Sequence, residues 1–316
     1  MKLAMMFPGQ GSQSVGMLAG LGAAEPIVRE TFAEASTKLG YDLWALCQEG
    51  PEDRLSETER TQPAMLAAGV SIWRAWSQRG GAAPSMLAGH SLGEYSALVA
   101  AGALEFGSAI ALVRFRGEAM QRAVPAGAGA MAAILGLDDA VIEAACREAA
   151  QGEVVQPVNY NSPGQLVIAG ATSAVARAIE ACKARGAKRA VLLPVSVPSH
   201  SALMQPAAES LRKRLRELEI HAPVIRVYSF DAGLYTDADS IRDGLYRQLF
   251  NPVRWSAIVA AMIREGATQL VECGPGKVLA GLARRAPGGR DLALHAVESP
   301  ETLEAALAAA AGNPES

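Results

Sequence analysis

Cysteine is scarce in this sequence of 316 residues, and its few copies are widely spaced. None of the four belongs to a C-x-x-C pair, which argues against a zinc site and against a dithiol redox motif. We therefore predict no metal site, and we expect the cysteines to be reduced and mostly buried: Cys47, Cys146, Cys182 and Cys273.

Long hydrophobic runs and an excess of positive charge are also missing. The apolar run before Pro8 has only about five residues, too few for the core of a signal peptide or for a bilayer-spanning helix. A formal net charge of −3 leaves no electrostatic footprint for nucleic acid. With 50% hydrophobic and 19% charged residues, the chain has the composition of a folded enzyme. These features predict a cytoplasmic protein that binds neither a membrane nor nucleic acid.

The order of the predicted strands and helices indicates two structural units. Residues 129–197 predict the order β-α-β-β-α-β, with the last strand over 189–197, which is the ferredoxin-like pattern. The segments on either side alternate strands with helices, as in a parallel sheet that is covered on both faces. We therefore predict an α/β fold in which a small ferredoxin-like subdomain, residues 127–197, is inserted into a larger subdomain made of residues 1–126 and 198–316.

A serine stands between two glycines where an apolar run turns into an alanine-rich helical pattern, in Gly89-His90-Ser91-Leu92-Gly93. A sharp strand-to-helix turn needs both glycines, because a side chain at either place would collide with the neighbouring strand or helix. The turn would expose the Ser91 hydroxyl, and the amide of Leu92 at the helix start would point at negative charge forming beside it. The residues are either a nucleophile with half of an oxyanion hole or an ordinary turn with a serine cap.

A second loop, Gly9-Gln10-Gly11, follows the first predicted strand. It lacks the third glycine of G-x-G-x-x-G and the Gly-Lys-Ser/Thr of a P-loop, so its pattern does not favour a nucleotide. Loops at the carboxyl ends of parallel strands share one edge of the sheet, so this loop can meet the Ser91 turn. The amide of Gln10 would then be the second donor that an oxyanion needs, and a tight surface turn is the alternative.

Histidine is the other scarce residue, and only four copies are available to accept a proton from Ser91. His90 is adjacent to Ser91, so its side chain is expected to point the other way. His221 lies at a polar helix end, where exposure to solvent is the usual state. His200 and His295 each follow an apolar strand, which favours the sheet edge that carries Ser91. The residues alone leave His200 and His295 as candidates for the general base.

One arginine interrupts the apolar face of a predicted helix. Positions 109, 112, 113, 116, 119, 120 and 123 share this face, and Arg116 is its one charged residue. A guanidinium on a core face needs an anionic partner, and its planar fork suits a carboxylate. That partner is either an acidic residue elsewhere in the chain or the carboxylate of an acidic substrate.

Seven ordered segments that span nearly the whole chain resemble the malonyl-CoA:acyl carrier protein transacylase family of the acyltransferase superfamily. The segments are FPGQGSQ at 7–13, GHSLGEYSAL at 89–98, VRFRGEAMQ around Arg116, NSPGQLVIAG at 161–170, PVSVPSHSALMQPAA at 194–208, RQLFNPVRW at 247–255 and ECGPGKVL at 272–279.

The resemblance implies a reaction and the side chains that carry it. A malonyl group would pass from malonyl-CoA to the phosphopantetheine thiol of holo acyl carrier protein, through an ester on Ser91, to supply extender units for fatty-acid synthesis. Ser91 would be the nucleophile, and His200 would be its general base and later acid. Arg116 would bind the free carboxylate of the malonyl group.

The resemblance also implies roles for backbone groups and a more specific fold. The amides of Gln10 and Leu92 would form the oxyanion hole. The main-chain carbonyl of Gln248 would orient His200, in place of an acidic third residue. The fold would be an α/β-hydrolase-like large subdomain that carries the ferredoxin-like small one.

The resemblance implies malonyl-CoA and holo acyl carrier protein as partners, and a monomeric enzyme. It implies no separate cofactor, because CoA and phosphopantetheine belong to the substrates. One alternative is a malonyl transferase for another carrier, in a malonate decarboxylase or a polyketide pathway. Another alternative is a serine hydrolase that uses His295 with one of four aspartates: Asp231, Asp237, Asp239 or Asp243.

Overall fold

Two β-sheets organise the chain in the computed structural model, which describes residues 2–195 and 197–312. The strands are β1 (Lys2–Phe7), β2 (Met86–Gly89), β3 (Gly129–Leu135), β4 (Val155–Ser162), β5 (Gln165–Ala171), β6 (Arg189–Leu192), β7 (Arg226–Tyr228), β8 (Ala267–Cys273) and β9 (Ala293–Val297). The α-helices are α1 (Ala19–Ala24), α2 (Pro26–Leu39), α3 (Leu43–Glu49), α4 (Glu52–Leu55), α5 (Thr58–Gln78), α6 (Gly93–Ala100), α7 (Phe106–Ala123), α8 (Asp139–Ala150), α9 (Thr172–Ala184), α10 (Gln205–Glu217), α11 (Ala238–Gln248), α12 (Trp255–Arg264), α13 (Val278–Ala283) and α14 (Pro300–Ala311).

The larger sheet is parallel, with the strand order β7-β2-β1-β8-β9. Its central strand, β1, is buried along almost its whole length, as expected for a parallel strand between two layers of helices. Alternate side chains of β1 enter different cores, because successive residues of a strand point to opposite faces. Met5 and Phe7 pack with residues of α2, α5 and α7, whereas Ala4 and Met6 pack with residues of α12 and α13.

The smaller sheet is antiparallel, with the strand order β4-β5-β3-β6. Helices α8 and α9 bury Ile142 and Ile179 in a core of their own against one face of this sheet. The elements follow the order β-α-β-β-α-β, so this unit is the predicted ferredoxin-like fold. The strand predicted over 189–197 ends at Leu192, because Pro194 has no N–H with which to continue the ladder. The subdomain boundaries at 127 and 197 stay a prediction.

Hydrogen bonds join the two units at one edge of the parallel sheet. In the loop after α11, the N–H of Val253 donates to the carbonyl of Val158 at 2.9 Å, and its carbonyl accepts from the N–H of Tyr160 at 2.9 Å. Nearby, His90 Nε2 lies 2.9 Å from Asn161 Oδ1. These contacts hold β4 beside the carboxyl ends of β1 and β2, where a cavity opens between the two units. Within the described ranges, no helix has the length and apolar character to cross a bilayer.

Candidate active site

The turn between β2 and α6 places Ser91 in a backbone conformation that few side chains adopt. Its φ is 53°, in the left-handed region. A Cβ added to Gly89 would lie 1.9 Å from the carbonyl carbon of Gly93, and one added to Gly93 would lie 1.9 Å from the carbonyl oxygen of Phe7. Both glycines are therefore required, as the sequence predicts. No side chain caps the start of α6, so Ser91 is not a helix cap.

The loop after β1 lies against this turn. Strands β1 and β2 are neighbours, with Phe7 paired to Gly89, and a Cβ on Gly9 would lie 2.5 Å from the carbonyl oxygen of His90. Gln10 and Leu92 consequently line the same cavity as Ser91. Across residues 2–195 and 197–312, neither backbone amide donates to a protein acceptor. Two amides at one site are the donors that a developing oxyanion requires.

His200 is the histidine that the structure brings to Ser91. Its Nε2 lies 2.7 Å from Ser91 Oγ, and its Nδ1 lies 2.7 Å from the main-chain carbonyl oxygen of Gln248. A carbonyl oxygen can only accept, so Nδ1 carries the proton and Nε2 is the acceptor for the Ser91 hydroxyl. Burial, together with the positive charge of Arg116, lowers the pKa of His200 to about 3. The imidazole is therefore neutral at physiological pH and able to take a proton.

Arg116 projects from α7 into the cavity, although it is only 1% exposed. Its Nη2 donates to Oε1 of Gln248 at 2.9 Å, and its guanidinium carbon lies 5.5 Å from the centre of the Tyr95 ring. Its Nε has no hydrogen-bond partner, and no carboxylate forms a salt bridge with it within the part of the chain that the structure describes. Burial lowers the pKa of Arg116. A buried cation with free donors is suited to an anionic ligand.

Gln248, the last residue of α11, contacts both His200 and Arg116. Its carbonyl accepts from His200 and its side-chain Oε1 accepts from Arg116. Its side-chain Nε2 donates to the carbonyl of Ser91 at 3.0 Å and to Oε2 of Glu94 at 2.6 Å. The sequence-based interpretation assigned only the carbonyl, and it missed both the Gln248 side chain and Glu94.

The cavity around these groups has a volume of about 300 Å³. Ser91, His200 and Arg116 line it, and the small sheet contributes apolar side chains such as Met131 and Val167. No cluster of histidine, cysteine or acidic side chains suited to a metal ion occurs among the residues described. The cavity thus combines a nucleophile, a base and a cation with room for a narrow, partly apolar substrate.

The structure keeps His295 away from Ser91. His295 lies on the edge strand β9, and β1 and β8 separate this strand from β2. It does not line the cavity. Among the four aspartates of the alternative triad, Asp231 binds Arg247 and Ser229 instead. His90 is held by Asn161, so it does not compete for the Ser91 proton either. The geometry assembles the pair of Ser91 with His200 and no triad with His295.

Comparisons with known proteins show the family to which the chain belongs. The family model described as an acyl transferase domain matches residues 5–287. The malonyl CoA-acyl carrier protein transacylase of Escherichia coli (strain K12) is 57% identical over 307 residues, which cover 97% of this chain and 99% of that protein.

Solved structures give the same result. An acyl carrier protein S-malonyltransferase from Vibrio cholerae O1 biovar eltor is 58% identical, with a TM-score of 0.94 over 96% of this chain and 99% of that one. The malonyl-transacylase solved in complex with its type II PKS acyl-carrier protein is 55% identical, with a TM-score of 0.96 over 98% and 100% of the two chains. The present chain therefore belongs to the acyl transferase family and, within it, to the malonyl CoA-acyl carrier protein transacylases.

Proposed function

We propose that this chain transfers the malonyl group of malonyl-CoA to the phosphopantetheine thiol of holo acyl carrier protein, through a malonyl ester on Ser91. The observation that carries this proposal is the position of Arg116. A hydrolase or acyltransferase for neutral acyl groups gains nothing from a buried guanidinium beside its nucleophile, because such a cation is costly to leave without a counter-ion. The carboxylate of a malonyl group supplies that counter-ion.

In the first half-reaction, the Ser91 oxygen attacks the thioester carbonyl while His200 Nε2 takes the hydroxyl proton. The amides of Gln10 and Leu92 stabilise the oxyanion, and in comparable sites one such donor contributes about 3 kcal/mol. The C–S bond then breaks, and His200 returns the proton to the CoA sulfur. A malonyl ester remains on Ser91.

In the second half-reaction, the carrier's thiol gives its proton to His200 and attacks the ester carbonyl. The C–O bond to Ser91 breaks, and His200 protonates the serine oxygen, which restores the free enzyme. Substrates that take turns at one nucleophile give ping-pong kinetics. Bound malonate also opposes the charge of Arg116, so the pKa of His200 is higher in the loaded site than in the empty one.

Several further properties belong to the same proposal. We expect the protein to act as a monomer. Both acyl carriers arrive as parts of the substrates, so no separate cofactor is required. We place the activity in the cytoplasm, where it supplies extender units for fatty-acid synthesis. The 55% identical relative bound to a type II PKS carrier supports a second candidate, in which the recipient is a polyketide carrier.

Intact-protein mass spectrometry after brief incubation with malonyl-CoA tests the proposal. The wild type is expected to gain one malonyl group, which Ser91→Ala abolishes. Ser12→Ala is the matched control, because Ser12 lines the same cavity without contacting His200, and it is expected to keep the adduct. A chase with holo carrier from fatty-acid synthesis, and separately from a polyketide pathway, identifies the recipient. An adduct lost to water as quickly as to either carrier would contradict the transferase.

A further inference from the structure

A buried carboxylate lies directly behind the candidate active site. Glu94, three residues after Ser91 on α6, is fully buried, and both of its oxygens are hydrogen-bonded. Oε1 accepts from the hydroxyl of Tyr235, and Oε2 accepts from Nε2 of Gln248 at 2.6 Å. The mechanism above uses neither Glu94 nor Tyr235. A carboxylate without exposure to water is costly to bury, so its position calls for a physical reason.

Glu94 and the main-chain carbonyl of Ser91 together fix which way the side-chain amide of Gln248 faces, because both accept from its Nε2, at 2.6 Å and 3.0 Å. An ionised carboxylate only accepts hydrogen bonds, so the ionised form of Glu94 requires the NH₂ group of this amide on its own side. The amide oxygen must then face the opposite side, where it accepts from Nη2 of Arg116 at 2.9 Å. With the amide reversed, the NH₂ group would meet the donors of the guanidinium. Glu94 gives the shorter of the two contacts to this NH₂ group, so the orientation of Arg116 depends in part on Glu94, through Gln248.

The neutral amide also separates the two charges. A carboxylate bound directly to Arg116 would occupy the donors that a substrate needs, whereas the Gln248 amide occupies one and leaves others free. Glu94 lies one amide away from the guanidinium and offsets only part of its charge, so Arg116 still has no carboxylate bound directly to it. The other ionisable groups that act on Glu94 are Tyr235 and Asp231, and burial raises its pKa to about 7 against the effect of its hydrogen-bond donors.

Tyr235, which donates to the other oxygen of Glu94, is itself held in place by its surroundings. Tyr235 is 6% exposed, and its N–H donates to the carbonyl of Val227 in β7 at 3.1 Å, which anchors it to that strand. A Cβ added to Gly244 on α11 would lie 2.3 Å from the Tyr235 hydroxyl oxygen. The absence of a side chain at Gly244 therefore gives this hydroxyl its place against Glu94.

We propose that Glu94 is a positioning residue that, through the Gln248 side chain, holds Arg116 in the orientation that selects a malonyl over a neutral acyl group. Tyr235 holds Glu94 in turn. This inference rests on the proposed malonyl transfer. It assigns the preference for a carboxylate-bearing acyl group to a chain of contacts, Tyr235 to Glu94 to Gln248 to Arg116, in addition to the guanidinium itself.

The test is the ratio of kcat/KM for malonyl-CoA to kcat/KM for acetyl-CoA, measured in four variants. Glu94→Ala removes the carboxylate, and Glu94→Asp withdraws it from Gln248 while keeping the charge. Loss of a hydrogen bond of this kind is expected to lower the ratio about tenfold in both. Glu94→Gln retains an oxygen that can accept from Gln248, and it is expected to keep the ratio within about threefold of the wild type.

The fourth variant separates positioning from stability. Glu105 accepts from the N–H groups of Gly107 and Ser108 and so caps α7, the helix that carries Arg116. Glu105→Ala is expected to lower Tm without changing the ratio, because it leaves the Gln248 contacts intact. An unchanged ratio in Glu94→Asp, or an equal fall in Glu105→Ala, overturns the inference. A wild type that forms no malonyl ester overturns the proposed function instead, so the two failures are distinguishable.

Discussion

Replacing Arg116 by alanine is expected to abolish the discrimination between malonyl-CoA and acetyl-CoA. Arg116 is the one lysine or arginine among the described residues that line the cavity. Truncating one partner of a buried, hydrogen-bonded charge pair costs about 2–5 kcal/mol, and about 3 kcal/mol corresponds to roughly a 100-fold loss of kcat/KM for malonyl-CoA. The rate with acetyl-CoA is expected to hold or rise, because the acetyl group no longer leaves a buried cation without a counter-ion.

The assay is the initial rate of CoA release with each thioester, at saturating holo carrier, for the wild type and two variants. Arg114→Ala is the matched control, because Arg114 lies on the same helix with its side chain 43% exposed and paired to Glu118. It is expected to change neither rate more than about twofold. If Arg116→Ala folds with an unchanged malonyl-to-acetyl ratio, the assignment of the substrate carboxylate to Arg116 is refuted.

Three further perturbations test other parts of the site. Gly93→Ala places a Cβ against the backbone of β1, so it is expected to lower Tm and to prevent formation of the acyl-enzyme. Gly281→Ala is its control, because a Cβ at this position meets nothing within 4 Å, and it is expected to lower neither Tm nor activity. Burial and, after it, the charge of Arg116 lower the pKa of His200 to about 3, so Arg116→Gln removes the second of these causes and raises that pKa part of the way towards 6.5. The base is then protonated at higher pH, and a pH series is expected to show the acid limb of kcat/KM for acetyl-CoA moved upwards. His295→Ala is expected to keep malonyl transfer within about twofold of the wild-type rate, and a loss of activity in this variant would restore the hydrolase triad as a candidate.

The fold follows from the sequence wherever local pattern decides it. The apolar run of β1 and the alternation of helices with strands predict a buried parallel sheet, and the structure confirms it. The strand order of that sheet, in contrast, does not follow from local sequence pattern. Nothing local indicates that β1 pairs with β8, whose residues lie more than 260 positions later, because this pairing is decided by packing of the complete chain.

The candidate site shows the same division between local and distant information. Arg116 is visible in the sequence because it is a charge on an apolar helix face. Gln248 has the same signal, since it follows Ile241, Gly244 and Leu245 at the spacing of one buried face of α11. That signal predicts a buried amide, but it cannot name Arg116 and Glu94 as its partners. Tyr235 gives no signal at all, because its hydroxyl meets Glu94 across 141 positions of sequence.

Ser91 and His200 share an unusual backbone conformation, which the local sequence reveals at one residue and not at the other. Both have a positive φ, 53° and 63°, although neither is glycine, and such a conformation costs about 1–3 kcal/mol at each residue. At Ser91 the flanking glycines make the turn possible, so the sequence reveals the strain. At His200 no glycine flanks the strained residue, and the hydrogen bonds of its ring to Gln248 and Ser91 hold it in place. The strained conformation of His200 is therefore held by contacts within the site. Because these contacts come from residues distant in sequence, the sequence alone could not distinguish His200 from His295.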